Sequence, residues 1–164
     1  MSTRRSIAAL AMTILVYGSA TLLQAQLPKQ GTFSGKFGWV GSGSAYEMDT
    51  RTFFVGSFTG PFTNDAGAGF LHNSAWVCPG VNDLVSGVTV AAHGYCIVTD
   101  ADGDKVFESW YGKGSAPGKG TGQFTWTGGT GKYHGITGGG TFEYTFIGTT
   151  SQGFSLAKGT WQLP

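Results

Sequence analysis

Residues 127–142 read Thr-Gly-Gly-Thr-Gly-Lys-Tyr-His-Gly-Ile-Thr-Gly-Gly-Gly-Thr-Phe, and they lie between two strongly alternating stretches. On both sides, aromatic residues alternate with polar ones; the aromatic residues are Phe124, Trp126, Phe142, Tyr144 and Phe146. Alternation with a period of two places one set of side chains on one face of a strand. The intervening glycines supply backbone angles that other residues resist. The stretch therefore predicts a corner that joins two long antiparallel strands.

Strand patterns recur along the rest of the chain, and nothing has the periodicity of a long amphipathic helix. We predict strands near residues 33–39, 51–59, 85–99, 105–113, 121–127, 141–147 and 154–162. Asp102-Gly103 is typical of a hairpin turn. Residues 60–81, rich in glycine and proline, predict a long loop with at most one short strand around Phe70. Seven or eight strands with short turns indicate an all-β fold, an antiparallel barrel in preference to a two-sheet sandwich.

The first 25 residues have the composition of a secretory signal peptide. Arg4 and Arg5 precede an apolar run from Ile7 to Leu23, and Ala25 offers a small residue for cleavage. We expect residues 1–25 to be removed and residues 26–164 to form one secreted or periplasmic domain. A retained membrane anchor is the alternative, but the apolar run is marginal for a span. The arginine pair also resembles a twin-arginine signal, so the export route stays open.

The processed chain would be nearly neutral. Without Arg4 and Arg5, eight basic residues face nine acidic ones, which gives a net charge of −1. A nucleic-acid-binding protein would need a basic stripe, so we expect no nucleic-acid partner. The sequence leaves the oligomeric state open, including a homo-oligomer.

Two cysteines, Cys78 and Cys96, would meet an oxidising compartment after export. A disulfide between them is the favoured interpretation, and two buried thiols are the alternative. The bond would close a loop of 18 residue steps and contribute about 3 kcal/mol. We expect no metal site at these cysteines, because no second cysteine or histidine stands at ligand spacing from either.

The candidate catalytic residues are Glu108, His93 and Tyr95. Glu108 shares a strand face with Val106 and Trp110, and an inward orientation would raise its pKa by desolvation. The opposite face also carries aromatic residues, so parity does not decide the orientation. His93 and Tyr95 share a face of their strand, and His93 is either a general base or a hydrogen-bonded structural residue.

Other chemical motifs are weak. Asp100, Asp102 and Asp104 vaguely resemble a calcium loop, but their spacing fails the EF-hand pattern, so a polar turn is favoured. The remaining histidines, His72 and His134, fall in predicted loop or corner segments. There is no nucleophile elbow, phosphate loop or dinucleotide fingerprint, and we expect no cofactor.

The aromatic strand faces are the larger signal. An eight-stranded barrel can be filled by side chains or can hold one small ligand. If it holds a ligand, we expect the binding residues to be Phe54, Phe58, Phe124, Trp126, Phe142, Tyr144 and Phe146. The alternative is a packed core.

The run Gly-Gly-Thr-Gly-Lys-Tyr-x-Gly-Ile-x-Gly at residues 128–138 resembles the glycine corner of the allene oxide cyclase and dirigent-type β-barrels. It is most similar to small exported bacterial members of that class. The resemblance implies a single eight-stranded calycin-like barrel with an apolar cavity. Allene oxide cyclases rearrange a lipid epoxide, and dirigent proteins steer the coupling or cyclisation of phenols. No catalytic acid of either family can be matched here, and a shared fold does not carry an activity with it.

Three functions are therefore compatible with the sequence. The first is a barrel that binds a small apolar or aromatic molecule. The second is an isomerase, cyclase or lyase that acts on a hydrophobic substrate in the cavity. The third is a secreted structural domain with a packed core.

Overall fold

The computed structural model describes residues 27–164, and the predicted signal peptide at residues 1–25 lies outside the described residues. The described residues form strands and one 3₁₀ turn, Gly131–Tyr133. The strands are β1 (Gln30–Met48), β2 (Arg51–Asn64), β3 (Ser74–Val85), β4 (Val88–Thr99), β5 (Lys105–Ala116), β6 (Lys119–Gly129), β7 (Thr137–Phe146) and β8 (Gln152–Gln162). Within this part of the chain, no helix is both long and apolar enough to cross a membrane.

The eight strands close into one antiparallel barrel. Each strand pairs with the next along the chain, and β1 pairs with β8. This confirms the predicted all-β, eight-stranded antiparallel barrel and excludes the sandwich alternative for these residues. Closure gives every strand two partners, which removes the exposed edges that invite aggregation.

The prediction of a long loop at residues 60–81 is wrong. Strand β2 continues to Asn64 and β3 begins at Ser74, so only residues 65–73 form a loop. Phe70 lies in a turn of that loop, and no short strand forms around it. In β3, buried Trp76 and Cys78 alternate with residues on the outer face, where Pro79 stands exposed. Pairing with both β2 and β4 outweighs the weak strand preference of proline and glycine.

The predicted strand 85–99 begins three residues later. Val85 ends β3 and pairs with Val88, the first residue of β4. Ser86 and Gly87 between them have φ angles of 50° and 77°. Two positive φ angles are the signature of a tight hairpin turn that matches the strand twist. The prediction missed the Ser86-Gly87 dipeptide, which is itself a turn signal.

The glycine corner forms as predicted between antiparallel strands β6 and β7. Gly128 and Gly138, near its two ends, have φ angles of 147° and 116°, in a region that favours glycine. Between them, Tyr133 and Ile136 are buried. The corner therefore folds over one end of the barrel.

We call that end of the barrel the closed end, and it is filled by aromatic side chains. The corner meets the loop at residues 65–73 there, and the Phe70 ring stacks on Trp161 with centroids 4.8 Å apart. Phe33 packs between Phe62, Phe70 and Trp126. The opposite end carries the four hairpin turns that connect β1–β2, β3–β4, β5–β6 and β7–β8. We call this second end the mouth.

Candidate functional site

A cavity of about 90 Å³ lies inside the barrel, between the packed closed end and the mouth. Six aromatic side chains from four strands follow one another along its wall; in order they are Trp110, Phe58, Trp39, Phe146, Tyr144 and Phe142. Successive ring centroids lie 6.2, 5.2, 4.8, 6.2 and 6.4 Å apart. We call these six rings the aromatic collar. Edge-to-face and tilted contacts at such distances are favourable for aromatic pairs.

Glycines on neighbouring strands make room for the collar. A Cβ atom on Gly122 would lie 2.1 Å from the Phe142 ring, and one on Gly153 would lie 2.3 Å from the Trp39 ring. Gly80 and Gly94 receive Trp110 in the same way, at 2.5 and 2.8 Å. The rings of Trp39, Trp110 and Phe142 therefore rest against bare backbone, which keeps space for the cavity. Alternation of very small and very large residues builds this arrangement.

Glu108 points into the cavity from β5. Its neighbours across the sheet are Cys96 on β4 and Trp126 on β6. The side chain is 4% exposed, and its Oε2 atom has no hydrogen-bond partner among the described residues. Burial raises the pKa of the Glu108 carboxyl to about 8, because desolvation penalises the charged form. The carboxyl is therefore mostly protonated at neutral pH.

Three further polar atoms on the cavity wall have no hydrogen-bond partner among the described residues: Asn82 Oδ1, Trp110 Nε1 and the Tyr144 hydroxyl. Asn82 lies on β3 opposite Ala92 of β4, which in turn lies opposite Gly112 of β5. Buried polar groups are normally paired, so four unpaired ones in a single apolar cavity need an explanation. Such groups usually fix the orientation of a ligand.

The Cys78–Cys96 disulfide is present, with an S–S distance of 2.02 Å, as predicted. Both cysteines belong to the cavity wall, where the bond links β3 to β4. The disulfide therefore crosslinks β3, which presents Asn82, to β4, which lies beside Glu108.

His93 and Tyr95 do not join Glu108 in the cavity. Both lie on the outer face of β4 and are exposed; Tyr95 retains 63% of its surface. The reason is strand alternation, because Ala92 and Cys96 of the same strand point inward. Of the three candidates, only Glu108 reaches the interior.

Five of the seven predicted ligand-binding residues line the cavity: Phe58, Phe124, Phe142, Tyr144 and Phe146. The other two lie beyond it. The Phe54 ring packs on Phe58, with centroids 5.6 Å apart. Trp126 contacts Phe33 and Phe70 at the closed end.

Sequence reasoning missed Trp39, Trp110 and Asn82 as cavity residues. Trp39 belongs to the alternating aromatic pattern of β1, and Trp110 shares the face of Glu108, so both carried a signal. Asn82 carried none, because it fell at the edge of the segment predicted as loop.

The acidic turn at residues 100–104 lies at the closed end and serves as an anchored turn. Asp100 Oδ1 accepts hydrogen bonds from the backbone N–H groups of Asp102 and Asp104, at 2.9 and 3.0 Å. Lys132 pairs with Asp100 at 2.6 Å, and the Tyr133 hydroxyl donates to Asp100 Oδ2 at 3.0 Å. These contacts tie the turn to the glycine corner. No group of three or more His, Cys, Asp or Glu residues in the described part of the chain is placed to hold a metal ion.

The other two histidines lie away from the cavity. His134 is exposed in the glycine corner, and His72 lies in the loop at residues 65–73.

Comparisons with known proteins returned no match: no family model, curated protein or solved structure matches this chain. What the site does must therefore be inferred from its own geometry.

Proposed function

We propose that this protein is an exported β-barrel that binds a small apolar or aromatic molecule, or a group of that kind on a larger molecule, in its interior. The observation that carries the proposal is the cavity of about 90 Å³ walled by the aromatic collar. Apolar cavities lined by aromatic side chains and a few polar groups are the usual form of small-molecule sites.

The size of the cavity limits what enters it. An engineered cavity of about 150 Å³ accepts benzene, and this cavity, at about 90 Å³, is smaller. A small molecule would fit by displacing the half-buried rings of Phe58, Phe142 or Phe146. A larger molecule would insert only one group and leave the remainder at the mouth.

Export and family membership form part of the proposal. The Cys78–Cys96 disulfide is typical of an oxidising compartment, which supports removal of residues 1–25 during export. The closed eight-stranded barrel is the architecture that the resemblance to allene oxide cyclase and dirigent-type barrels implies. We therefore propose that the chain is related to these barrels. The glycine corner and the barrel architecture together support this relationship.

A second candidate function is an isomerase, cyclase or lyase that uses Glu108 as its acid or base. The observation that favours it is a buried carboxyl on the cavity wall whose pKa is raised to about 8. With His93 and Tyr95 outside the barrel, Glu108 would act without them. The other ionisable side chain on the wall is Tyr144.

Ligand binding is tested by filling the cavity. Ala92 lines it, whereas its neighbour Ala91 is exposed on the outer face of the same strand. Saturation-transfer NMR should detect benzene and 1-butanol on the wild-type protein and on Ala91→Leu. Both signals should be lost on Ala92→Leu. Equal signals on the two variants would place binding outside the cavity, and the absence of any signal on the wild-type protein would refute the proposal.

A further inference from the structure

The polar groups of the cavity narrow the class of ligand, an inference that rests on the proposed function. We propose that the cavity prefers a small organic cation, a molecule whose ammonium group pairs with Glu108 inside the aromatic collar. The proposal draws on three features: the collar rings, the unpaired oxygen atoms, and the absence of a basic side chain from the cavity wall.

The rings favour a cation. The face of an aromatic ring carries negative electrostatic potential, so cations bind over Trp, Tyr and Phe, and cages of such rings recognise quaternary ammonium and methylated lysine groups. Here two tryptophans, one tyrosine and three phenylalanines form the collar. The attraction strengthens where water is excluded, as in a buried cavity.

The unpaired oxygen atoms favour a hydrogen-bond donor. Once Glu108 is ionised, its Oε2 atom and Asn82 Oδ1 are both buried acceptors without a partner among the described residues. An ammonium group carries several N–H donors and no acceptor. The unpaired donors on the wall are Trp110 Nε1 and the Tyr144 hydroxyl, and both rings can still offer their faces to the cation.

The wall contains no lysine, arginine or histidine, so nothing in the described residues lining the cavity neutralises an ionised Glu108. A buried carboxylate is costly unless a positive charge accompanies it. A bound cation would supply that charge, whereas an anionic ligand would meet a carboxyl and the negative faces of the rings. A neutral alcohol would satisfy hydrogen bonds but would gain nothing from charge.

Binding of the cation should release a proton. In the empty cavity the Glu108 carboxyl holds its proton up to about pH 8. When the ammonium group enters, that proton leaves to solvent and an ammonium–carboxylate pair replaces the neutral carboxyl. The strands that flank β5 present disulfide-bonded Cys96 and Trp126 opposite Glu108, and Tyr144 is the other ionisable group on the wall. Glu108 is therefore the group that should control the pH dependence.

The test compares n-butylammonium with 1-butanol, which has the same number of heavy atoms, by NMR shift titration. At about pH 9 the cation should bind the wild-type protein about tenfold more tightly than the alcohol. Glu108→Gln should remove this preference. Glu143→Gln, which alters an exposed carboxyl on β7, should retain it. On the wild-type protein, the affinity for the cation should rise up to about tenfold per pH unit below pH 8 and then level off.

The outcomes separate this inference from the proposed function. Equal binding of the two probes at every pH, or tighter binding of the alcohol, would overturn the cation preference and leave the ligand-binding barrel intact. Failure of n-butylammonium, 1-butanol and benzene to bind would refute both proposals. If Glu108→Gln does not fold, the pH profile of the wild-type protein decides, and a flat profile for the cation overturns the inference.

Discussion

Glu108 on β5 lies directly opposite Cys96 on β4, so a buried carboxyl and a disulfide are neighbours on the inner wall of the barrel. Among residues 27–164, Glu108 is the one acidic residue that is buried as a whole. The two residues make different contributions: the disulfide constrains the wall, and the carboxyl gives an otherwise apolar cavity an ionisable group. Each contribution can be measured separately.

The raised pKa of Glu108 predicts that stability falls as pH rises. The pKa goes from 4.5 to about 8 on folding, so between those values the folded state holds a proton that the unfolded state has lost. The free energy of unfolding should therefore fall by up to about 1.4 kcal/mol per pH unit in that window and level off above it. Glu108→Gln removes this contribution to the pH dependence of stability. Urea denaturation across the window should show a difference between wild type and variant that grows in the variant's favour up to about pH 8. A constant difference would mean that the carboxyl ionises normally.

The disulfide should contribute substantially to stability. Replacing both Cys78 and Cys96 by alanine should lower the free energy of unfolding by about 3 kcal/mol, because the unfolded chain regains the freedom of an 18-residue loop. Urea denaturation of the oxidised wild type and of the double variant measures this difference. Reduced, denatured wild-type protein should be two hydrogens heavier than the oxidised form, and an unchanged mass would exclude the bond.

The barrel could be predicted from the sequence because the alternation of aromatic residues and the glycine corner are local signals. Strand β3 could not, because Pro79 and Gly80 have weak strand preference and gain their structure from pairing with β2 and β4. The sequence pattern also does not decide whether the Glu108 side chain points inward, for a related reason. Residues on the outer face of the sheet such as Tyr111 are also aromatic, so apolarity did not distinguish the two faces.

The cavity itself could not be predicted from the sequence. Its existence depends on which ring rests on which glycine, as Phe142 does on Gly122, and that relationship is set by cross-strand register. Register in turn depends on the whole closed sheet.

Gly122 is predicted to be intolerant of a side chain. A Cβ atom there would lie 2.1 Å from the Phe142 ring and 2.4 Å from the backbone oxygen of Tyr111. Gly122→Ala should lower the free energy of unfolding by about 1–3 kcal/mol, the usual cost of overpacking. Gly38→Ala on β1 is the matched control, because its Cβ would meet nothing within 4 Å. Thermal denaturation should rank the two variants in that order, and equal melting temperatures would argue against the ring-on-glycine contact.

The closed end should be less tolerant of truncation than the cavity wall. Phe62 is fully buried and stacks on Trp76, with ring centroids 5.1 Å apart. Phe62→Ala should therefore cost about 3–5 kcal/mol of unfolding free energy. Phe146→Ala should cost less, because Phe146 is only half buried and already borders empty space. Urea denaturation of both variants tests the contrast, and a larger loss at Phe146 would show that the cavity region is packed.

The central claim is that the barrel interior contains a cavity able to hold a small apolar guest. Xenon tests it most directly, because xenon enters apolar cavities without needing polar contacts. A crystal structure of the protein under xenon pressure should show xenon inside the collar, in contact with Trp39, Phe58 and Phe142. The site should be empty of xenon in Ala92→Leu. Density for xenon only on the outer surface, or none at all, would contradict the account.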